Sequence, residues 1–287
     1  LITPLPTFIP STIRLFIWKT IIDIVKRLNN KKSSGTDGIS NFLIKRFPVT
    51  ALEFLTIIYN NCINNGYFPN CWKKAKILPI KKKNGSGRVD DFRPISLLSN
   101  LGKILEHVLK QKLESEFIIN PLSCFQFGFR KSHSTVHALL KFHNDVTCHL
   151  RNRNCTVAIS LDIQKAFDTA FHKGILFKLV ELGIDPFLIK LFQSYFLDRK
   201  FCIQINNSFS DSGAVKSGVP QGSILSPSLF NLFLYDFPHE TNYSKAILYA
   251  DDCLIYSHDI SPANALIKAS NHQQFLCGLR HHKCFQI

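Results

Sequence analysis

The sequence contains no methionine. It has no initiator residue, and the chain reads as a fragment of a longer reading frame. Its nine cysteines form no C-x-x-C pair. That excludes the usual zinc-ligand spacing, and the odd number argues against a disulfide framework. The cysteines are expected to be reduced and mostly buried, as in an intracellular protein. No uninterrupted apolar run reaches membrane-spanning length, so no membrane partner is expected. The first twenty residues carry three prolines and lack a basic start followed by a clean apolar stretch, so they do not read as a secretory signal. No internal repeat and no low-complexity tract interrupts the chain. Negative charge is scarce: 20 acidic residues stand against 35 Lys and Arg, a formal net charge of +15. Such a surplus favours a polyanionic partner, nucleic acid first among them, because each phosphate neutralised releases a counterion.

What is present is a globular composition, 45% hydrophobic over 287 residues, enough for one large domain or two modest ones. Apolar residues at helical spacing predict a helix over Ile13 to Leu28, ending before the loop Lys31 to Gly38 (KKSSGTDG), and a second over Ala51 to Cys62. Ala75 to Ile80 predicts a strand running into the basic turn Lys81 to Gly87. Leu97 to Phe117 is the clearest helix, with Leu98, Leu101, Ile104, Leu105, Val108, Leu109 and Leu113 on one face and Ser99 as a possible cap. Glu106 and Lys110 are expected on its exposed side. Thr156 to Leu161 reads as a buried strand, and Phe171 to Gly183, Pro186 to Phe196 and Pro227 to Phe237 as helices. Phe201 to Ile205 reads as a strand and Ala246 to Tyr256 as a tight hairpin. Strands and helices mix without a regular βαβ rhythm, which predicts an α+β fold.

The chemistry begins at Asp251-Asp252, two carboxylates at the tip of that apolar hairpin. Alone, the pair reads equally as a solvated turn, since Asp is a common turn residue, or as a ligand pair for divalent cations, whose hard character suits carboxylate oxygens. A third carboxylate shifts the balance. Asp162 ends the strand TVAISL. If that strand neighbours the hairpin in one sheet, the three carboxylates can hold two cations for an in-line phosphoryl displacement.

Five segments together resemble non-LTR (LINE-type) retrotransposon reverse transcriptases. LDIQKAFD (Leu161 to Asp168), SGVPQGSILSPSLFN (Ser217 to Asn231) and YADD (Tyr249 to Asp252) resemble the three catalytic motifs. DFRPISLL (Asp91 to Leu98) and QFGFRKSHST (Gln126 to Thr135) resemble fingers motifs, all in the family's order. The resemblance is clear from Trp72 to Tyr256. It implies a right-hand polymerase fold, fingers and palm with an antiparallel palm sheet and without a thumb. It divides the chain into an N-terminal helical extension, 1–71, and a C-terminally truncated reverse transcriptase domain, 72–287. It implies an RNA-directed DNA polymerase, with RNA template, DNA primer and dNTPs as partners, two Mg²⁺ ions or Mn²⁺ as cofactors, and the endonuclease and thumb regions elsewhere in a parent polyprotein. Its place would be the nucleus or a cytoplasmic ribonucleoprotein.

Residue by residue, the resemblance makes Asp162, Asp251 and Asp252 catalytic metal ligands, with Ile163 beside them. Phe167 would be the steric gate against a ribose 2′-hydroxyl, with Ala166 next to it, where the residues alone would make Phe167 an ordinary core aromatic. Main-chain N–H groups from Ile163 to Phe167 would face the triphosphate. Gln221 would lie under the incoming nucleotide or template base, and Gly218 and Gly222 would let the backbone pass close to nucleic acid. Arg93 and one of Lys81 to Lys83, Lys82 foremost, would grip the triphosphate. Lys73, Lys74 and Lys76 would track the template backbone. Arg130 reads either as a template or primer contact or as a structural ion pair. Lys283, in GLRHHK, corresponds to a lysine that protonates pyrophosphate. The sequence departs from the family's pattern in SSGTDG, where a Pro-Gly-Pro run is usual, and in FDTAFH. Two alternatives stand beside this reading: an inactive nucleic-acid-binding scaffold that kept the fold, and an intron-maturase-like reverse transcriptase. The eleven histidines form no ligand set.

Overall fold

The structure, a computed structural model, describes residues 17–82, 87–119, 123–163 and 165–278. Expectations placed on Ile13 to Phe16, on Lys83 to Ser86 and on Lys283 lie outside the described residues. In chain order the elements are α1 (Ile17–Arg27), α2 (Asn41–Ile44), α3 (Val49–Asn65), β1 (Lys74–Lys81), β2 (Phe92–Leu97), α4 (Asn100–Ile119), α5 (Thr135–Arg151), β3 (Cys155–Asp162), α6 (Ala166–Thr169), α7 (His172–Glu181), α8 (Pro186–Phe196), β4 (Lys200–Ile205), β5 (Ser208–Phe209), β6 (Gly213–Ala214), α9 (Ser226–Phe233), β7 (Ser244–Tyr249), β8 (Asp252–Asp259) and α10 (Pro262–Gly278). Helices and two separate sheets make the α+β fold that the sequence predicts. Two compact units divide the chain: residues 1–116, 179–216 and 220–226, and residues 117–178, 217–219 and 227–287.

The first unit is built on a sheet ordered β2-β1-β4-β5, with β6 also on β4. β1 and β2 are antiparallel, from Lys76 opposite Leu97 to Lys81 opposite Phe92, so the basic segment does connect two arms of a hairpin. β1 and β4 are parallel. Helices of this unit begin on residues that suit helix starts. Asp185 accepts from Phe187 N–H with Pro186 at the first position of α8. Ser99 accepts from Gly102 N–H at 3.2 Å, which caps α4 a turn later than its apolar periodicity begins. α3 ends on Gly66 in the left-handed conformation. An aromatic cluster fills the interior. Trp72 packs on Tyr59 at 5.5 Å and on Phe68 at 6.1 Å between ring centroids, and Phe68 meets Tyr195 edge-on at 5.1 Å. Rings in such tilted and edge contacts stabilise beyond their buried area, by about 0.5–1.5 kcal/mol per pair. The face of α4 picked out by periodicity is buried at Ile104, Leu105, Val108, Leu109 and Leu113. Glu106, expected outside, is buried too, 2% exposed. Lys110 pairs instead with Glu114, 3.6 Å away.

The second unit holds a three-stranded antiparallel sheet in the order β3-β8-β7. α10 packs on β8 and β3, and α5 on β3 and β7. β3 is not buried throughout: it alternates between half-buried and exposed, with Ala158, Ser160 and Asp162 exposed. The cause is coverage. α5 covers the Thr156 end of that face, where His149 bonds Thr156 and stacks on His258 at 3.8 Å, and where Phe142 meets Tyr256. It leaves the Asp162 end open. α10 contributes a stripe of small and polar buried residues, Ala265, Ala269 and His272, before Leu276. Such a stripe carries little apolar signal, and neither α10 nor α5 is foreseen from the sequence. The seven described cysteines are free, and only Cys62 and Cys253 are buried. Cys71, Cys124 and Cys148 are exposed on helix and loop surfaces, so the expectation of mostly buried thiols fails.

Candidate active site

The register of β3 and β8 sets Asp162 directly opposite Asp252. Side chains of directly opposed residues stand on one face of a sheet, and like charges so placed repel. Both carboxylates are exposed, at the end of the face that α5 leaves open. Asp251 sits beside them in the two-residue turn Ala250-Asp251 between β7 and β8 and is half-buried. A shallow groove of about 140 Å³ runs up to Asp252, lined by Ser160, Tyr249 and Leu254 and by Leu139 and Phe142 of α5.

The donors there are all hard oxygens. Among the described residues no three His, Cys, Asp or Glu side chains form a ready-made metal cage. Carboxylate oxygens are donors of the kind that suit Mg²⁺.

The turn carrying Asp251 is strained, and the strain has an identifiable support. Ala250 has φ +58°, a left-handed conformation that costs an L-residue about 1 kcal/mol or more. Gln126, 3% exposed, grips it from both sides. Its Oε1 accepts from Ala250 N–H at 3.0 Å and from Gly128 N–H at 2.8 Å, while its Nε2 donates to Ala250 O at 3.2 Å. Phe127 N–H donates to Leu248 O at 2.8 Å, and Leu248 N–H to Phe125 O at 2.9 Å. A Cβ on Gly128 would stand 2.1 Å from Ala250 N, so this approach requires glycine. QFGF therefore buttresses YADD. The sequence marks Gln126 only as the first residue of a motif. Nothing local discloses that its amide closes around a turn 124 residues away.

Phe167 lies at the start of α6, after Lys165 in the left-handed conformation at φ +50°. Its ring is half-buried, stacked on Phe230 at 4.8 Å and edge-on to Phe129 at 5.7 Å. Its carbonyl accepts from Val219 N–H at 2.7 Å, and Gly218 N–H donates to Ala170 O at 2.8 Å. His172 Nε2 donates to Gly218 O at 2.7 Å. The LDIQKAFD and SGVPQ segments are thus laced together through main chain. Ile163 and Ala166 beside Phe167 are buried.

In the first unit, Gln221 is half-buried, its carbonyl accepting from Ser96 N–H of β2 at 2.7 Å. A Cβ on Gly222 would meet Ser96 O at 2.4 Å, so the close approach that needs glycine here is to the protein's own backbone. Arg93 and Lys82 are exposed on the β1-β2 hairpin. Lys74 is exposed and Lys76 half-buried on one side of β1, with Lys200 opposite Lys74. Lys73 stands apart from this basic stripe. It is 2% exposed, its ammonium lies 5.8 Å from the Tyr67 ring centroid, and burial lowers its pKa. In the second unit, Arg130 makes no ion pair with a described residue. Its Nη1 donates to the carbonyls of Ser123 and Gln126, which makes it a brace of its own loop. A cleft of about 440 Å³ in the first unit, between α1 and α4, is lined by Arg27, Lys32, Lys103 and His107. No motif or periodicity in the sequence marks it.

The second unit's sheet thus presents paired carboxylates at its open end, beside a strained and braced turn. The chain belongs to the reverse transcriptase (RNA-dependent DNA polymerase) family, whose model matches residues 80–283. Its relatives are polymerases of non-LTR mobile elements. It is 36% identical over 266 residues to the probable RNA-directed DNA polymerase from transposon BS of Drosophila melanogaster, covering 89% of this chain and 29% of that protein. To the RNA-directed DNA polymerase from mobile element jockey of the same species it is 34% identical, over 88% of this chain and 28% of that protein. Among solved structures, apo telomerase from Candida tropicalis truncated from its C-terminal domain is similar over 70% of this chain and 46% of that one, with 15% identity and a TM-score of 0.47. The chain spans under a third of the length of the two fly polymerases.

Proposed function

We propose that this chain is the polymerase segment of a retrotransposon reverse transcriptase, extending a DNA primer on an RNA template during retrotransposition. The observation that carries the reading is the register that sets Asp162 opposite Asp252, with Asp251 in the adjoining turn. Two like charges held face to face at an exposed sheet end are unfavourable unless a cation neutralises them. Their donor chemistry suits Mg²⁺ or Mn²⁺ bound together with a triphosphate. Such ions, when bound, would lower the pKa of the primer 3′-hydroxyl and stabilise the leaving oxygens.

The protein's own part is binding and placement. Asp162, Asp251 and Asp252 would hold the ions, with Ile163 next to the first of them. Phe167, kept in one orientation by Phe230 and Phe129, would exclude a 2′-hydroxyl, with Ala166 forming the adjoining floor. Gln221 and Gly222 would contact the nucleotide or template base. Arg93 and Lys82, on an exposed hairpin, would bind the triphosphate. Lys74 and Lys76 would follow template phosphates. The 3′-oxygen attacks the α-phosphorus, the bond to pyrophosphate breaks, and the hydroxyl proton passes to solvent. Positioning and electrostatics account for most of the rate. The division into an extension, 1–71, and a polymerase domain, 72–287, goes with this reading, as does a place in the nucleus or a cytoplasmic ribonucleoprotein. Among the described residues no helix is long and apolar enough to cross a membrane.

The test is primer extension by the purified chain on an RNA template with a DNA primer and Mg²⁺ or Mn²⁺, beside an Asp251→Asn control. Extension with dNTPs that disappears in the variant supports the polymerase. Tight primer–template binding with no extension by the unaltered chain would replace it with the scaffold reading.

A further inference from the structure

Glu106 is a charge-capable side chain placed where water does not reach, at 2% exposure in α4. Burial pushes its pKa up, while Arg199, Ile224 N–H, the Ser223 hydroxyl and Lys103 pull it back. A carboxyl kept inside a protein needs partners, and its partners are specific. One oxygen, Oε2, accepts from Ile224 N–H at 2.7 Å and from Ser223 Oγ–H at 2.9 Å. With the Ser223 proton so used, Tyr195 Oη–H, 2.9 Å away, donates to Ser223 Oγ. Arg199, itself 2% exposed, donates to Tyr195 O and lies over the Tyr195 ring, bringing a positive charge to the cluster.

All these bonds converge on one loop. Residues 220–226 carry Gln221 and Gly222. The loop is tied at its start by Ser96 N–H to Gln221 O at 2.7 Å and internally by Ser226 Oγ–H to Pro220 O at 2.8 Å. At Ser223 and Ile224 its anchor is Glu106. We propose that Glu106 is the positioning residue of this loop: by accepting from Ser223 and Ile224 it holds the main chain of 220–226 in the one conformation that presents Gln221 to the nucleotide or template base. The proposal rests on the polymerase reading for what Gln221 meets. It does not rest on that reading for the holding itself.

The experiment uses the full chain and three variants. Glu106→Gln keeps an acceptor oxygen, Glu106→Ala removes it, and Ser223→Ala removes one of the two donors. Two readouts are taken below the lowest melting temperature of the set: hydrogen exchange by mass spectrometry of the peptide covering 220–226, and KM for dNTP against kcat in primer extension. Loss of a hydrogen bond to a charged acceptor predicts roughly ten-fold faster exchange in that peptide for Glu106→Ala and roughly ten-fold higher KM, with kcat changed less. Glu106→Gln stays within about two-fold of the original in both, and Ser223→Ala falls between. A side chain that only packs would lower the melting temperature and leave KM and loop exchange where they are. That outcome for Glu106→Ala overturns the proposal. Should Glu106→Ala fail to fold, unchanged exchange and KM in Ser223→Ala overturn it instead. If the unaltered chain extends no primer, it is the polymerase reading that fails, and loop exchange alone decides whether Glu106 holds the loop.

Discussion

Each unit of this protein holds one loop or turn with one buried side chain from a distant stretch of sequence, and the two holders differ in chemistry, a carboxyl in one and a carboxamide in the other. In the first unit Glu106 accepts two hydrogen bonds from the loop at 220–226, backed by the buried guanidinium of Arg199. In the second, the neutral amide of Gln126 both donates to and accepts from Ala250. The difference follows from what each loop carries. Ala250 leads directly into Asp251 and Asp252, with Asp162 opposite. A carboxylate holder there would add a fourth negative charge, and it has no proton to donate to Ala250 O. The loop at 220–226 bears no charged side chain, so an anionic holder is tolerated, provided Arg199 stays beside it.

The comparison breaks most decisively at Asp251. Asp251→Asn leaves the Gln126 clamp intact and removes one of the charges that the clamp is proposed to present. Primer extension is expected to fall by roughly a thousand-fold, about 4 kcal/mol of transition-state stabilisation. A variant retaining a tenth of the activity would mean that the turn carboxylate is a bystander. Next comes the clamp. Gln126→Ala leaves Ala250 N–H and O unpaired, at about 1–3 kcal/mol for each buried group, and thermal unfolding should shift down accordingly. Gln126→Glu, nearly isosteric, should keep more of the fold than Gln126→Ala yet extend primers roughly ten- to a hundred-fold more slowly than the original. If Gln126→Glu matches the original rate, the neutrality of the clamp has no functional meaning.

Acidification separates the buried carboxyl from the buried imidazoles, since Glu106 has a raised pKa while His107, beside it on α4, and His239 in the second unit have lowered ones. The Glu106 carboxyl has a folded pKa above its ordinary 4.5. The folded state therefore binds that proton more tightly, and the first unit gains stability as pH falls through the raised value towards 4.5. His239, buried in the second unit against Phe125 with neither ring nitrogen bonded to a described residue, is pushed down to about 4 by burial. Its unfolded form takes up a proton first, so stability present above pH 6.5 is lost as pH falls from there towards 4. Exchange measured at pH 7 and pH 5, corrected for intrinsic rates, should show protection falling around His239. Unchanged protection there would contradict the assignment. The smallest effect belongs to the surface. Lys110→Ala, which removes the exposed ion pair to Glu114, should change stability by less than about 0.5 kcal/mol in denaturant unfolding.

Much of this arrangement was legible along the chain. Apolar spacing located α8 and β4 to within a residue and α3 to within three, because each buries a face against its own unit and the period survives in the sequence. The hairpin of β7 and β8 was legible because an aspartate pair between two apolar arms has few other readings. Glu106 was misplaced on the solvent side, although a signal existed: it stands two helical turns before Leu113 and so borders the apolar stripe. The polarity of its side chain outweighed that position. Lys73 was grouped with Lys74 and Lys76 by proximity in sequence, while the fold buries it under Tyr67.

By itself, then, the sequence determined which residues can do chemistry, the carboxylates and the motifs around them, and which local segments become strand, helix or turn, since periodicity and turn propensity act over a few residues. Only the tertiary structure decided which side chains hold those residues in place. Whether a carboxylate on α4 faces water or Ile224, and whether a left-handed alanine before Asp251 has a partner for its N–H and O, depends on chain segments more than a hundred residues away. Burial and hydrogen-bond satisfaction are properties of such long-range contacts, and no local pattern encodes them.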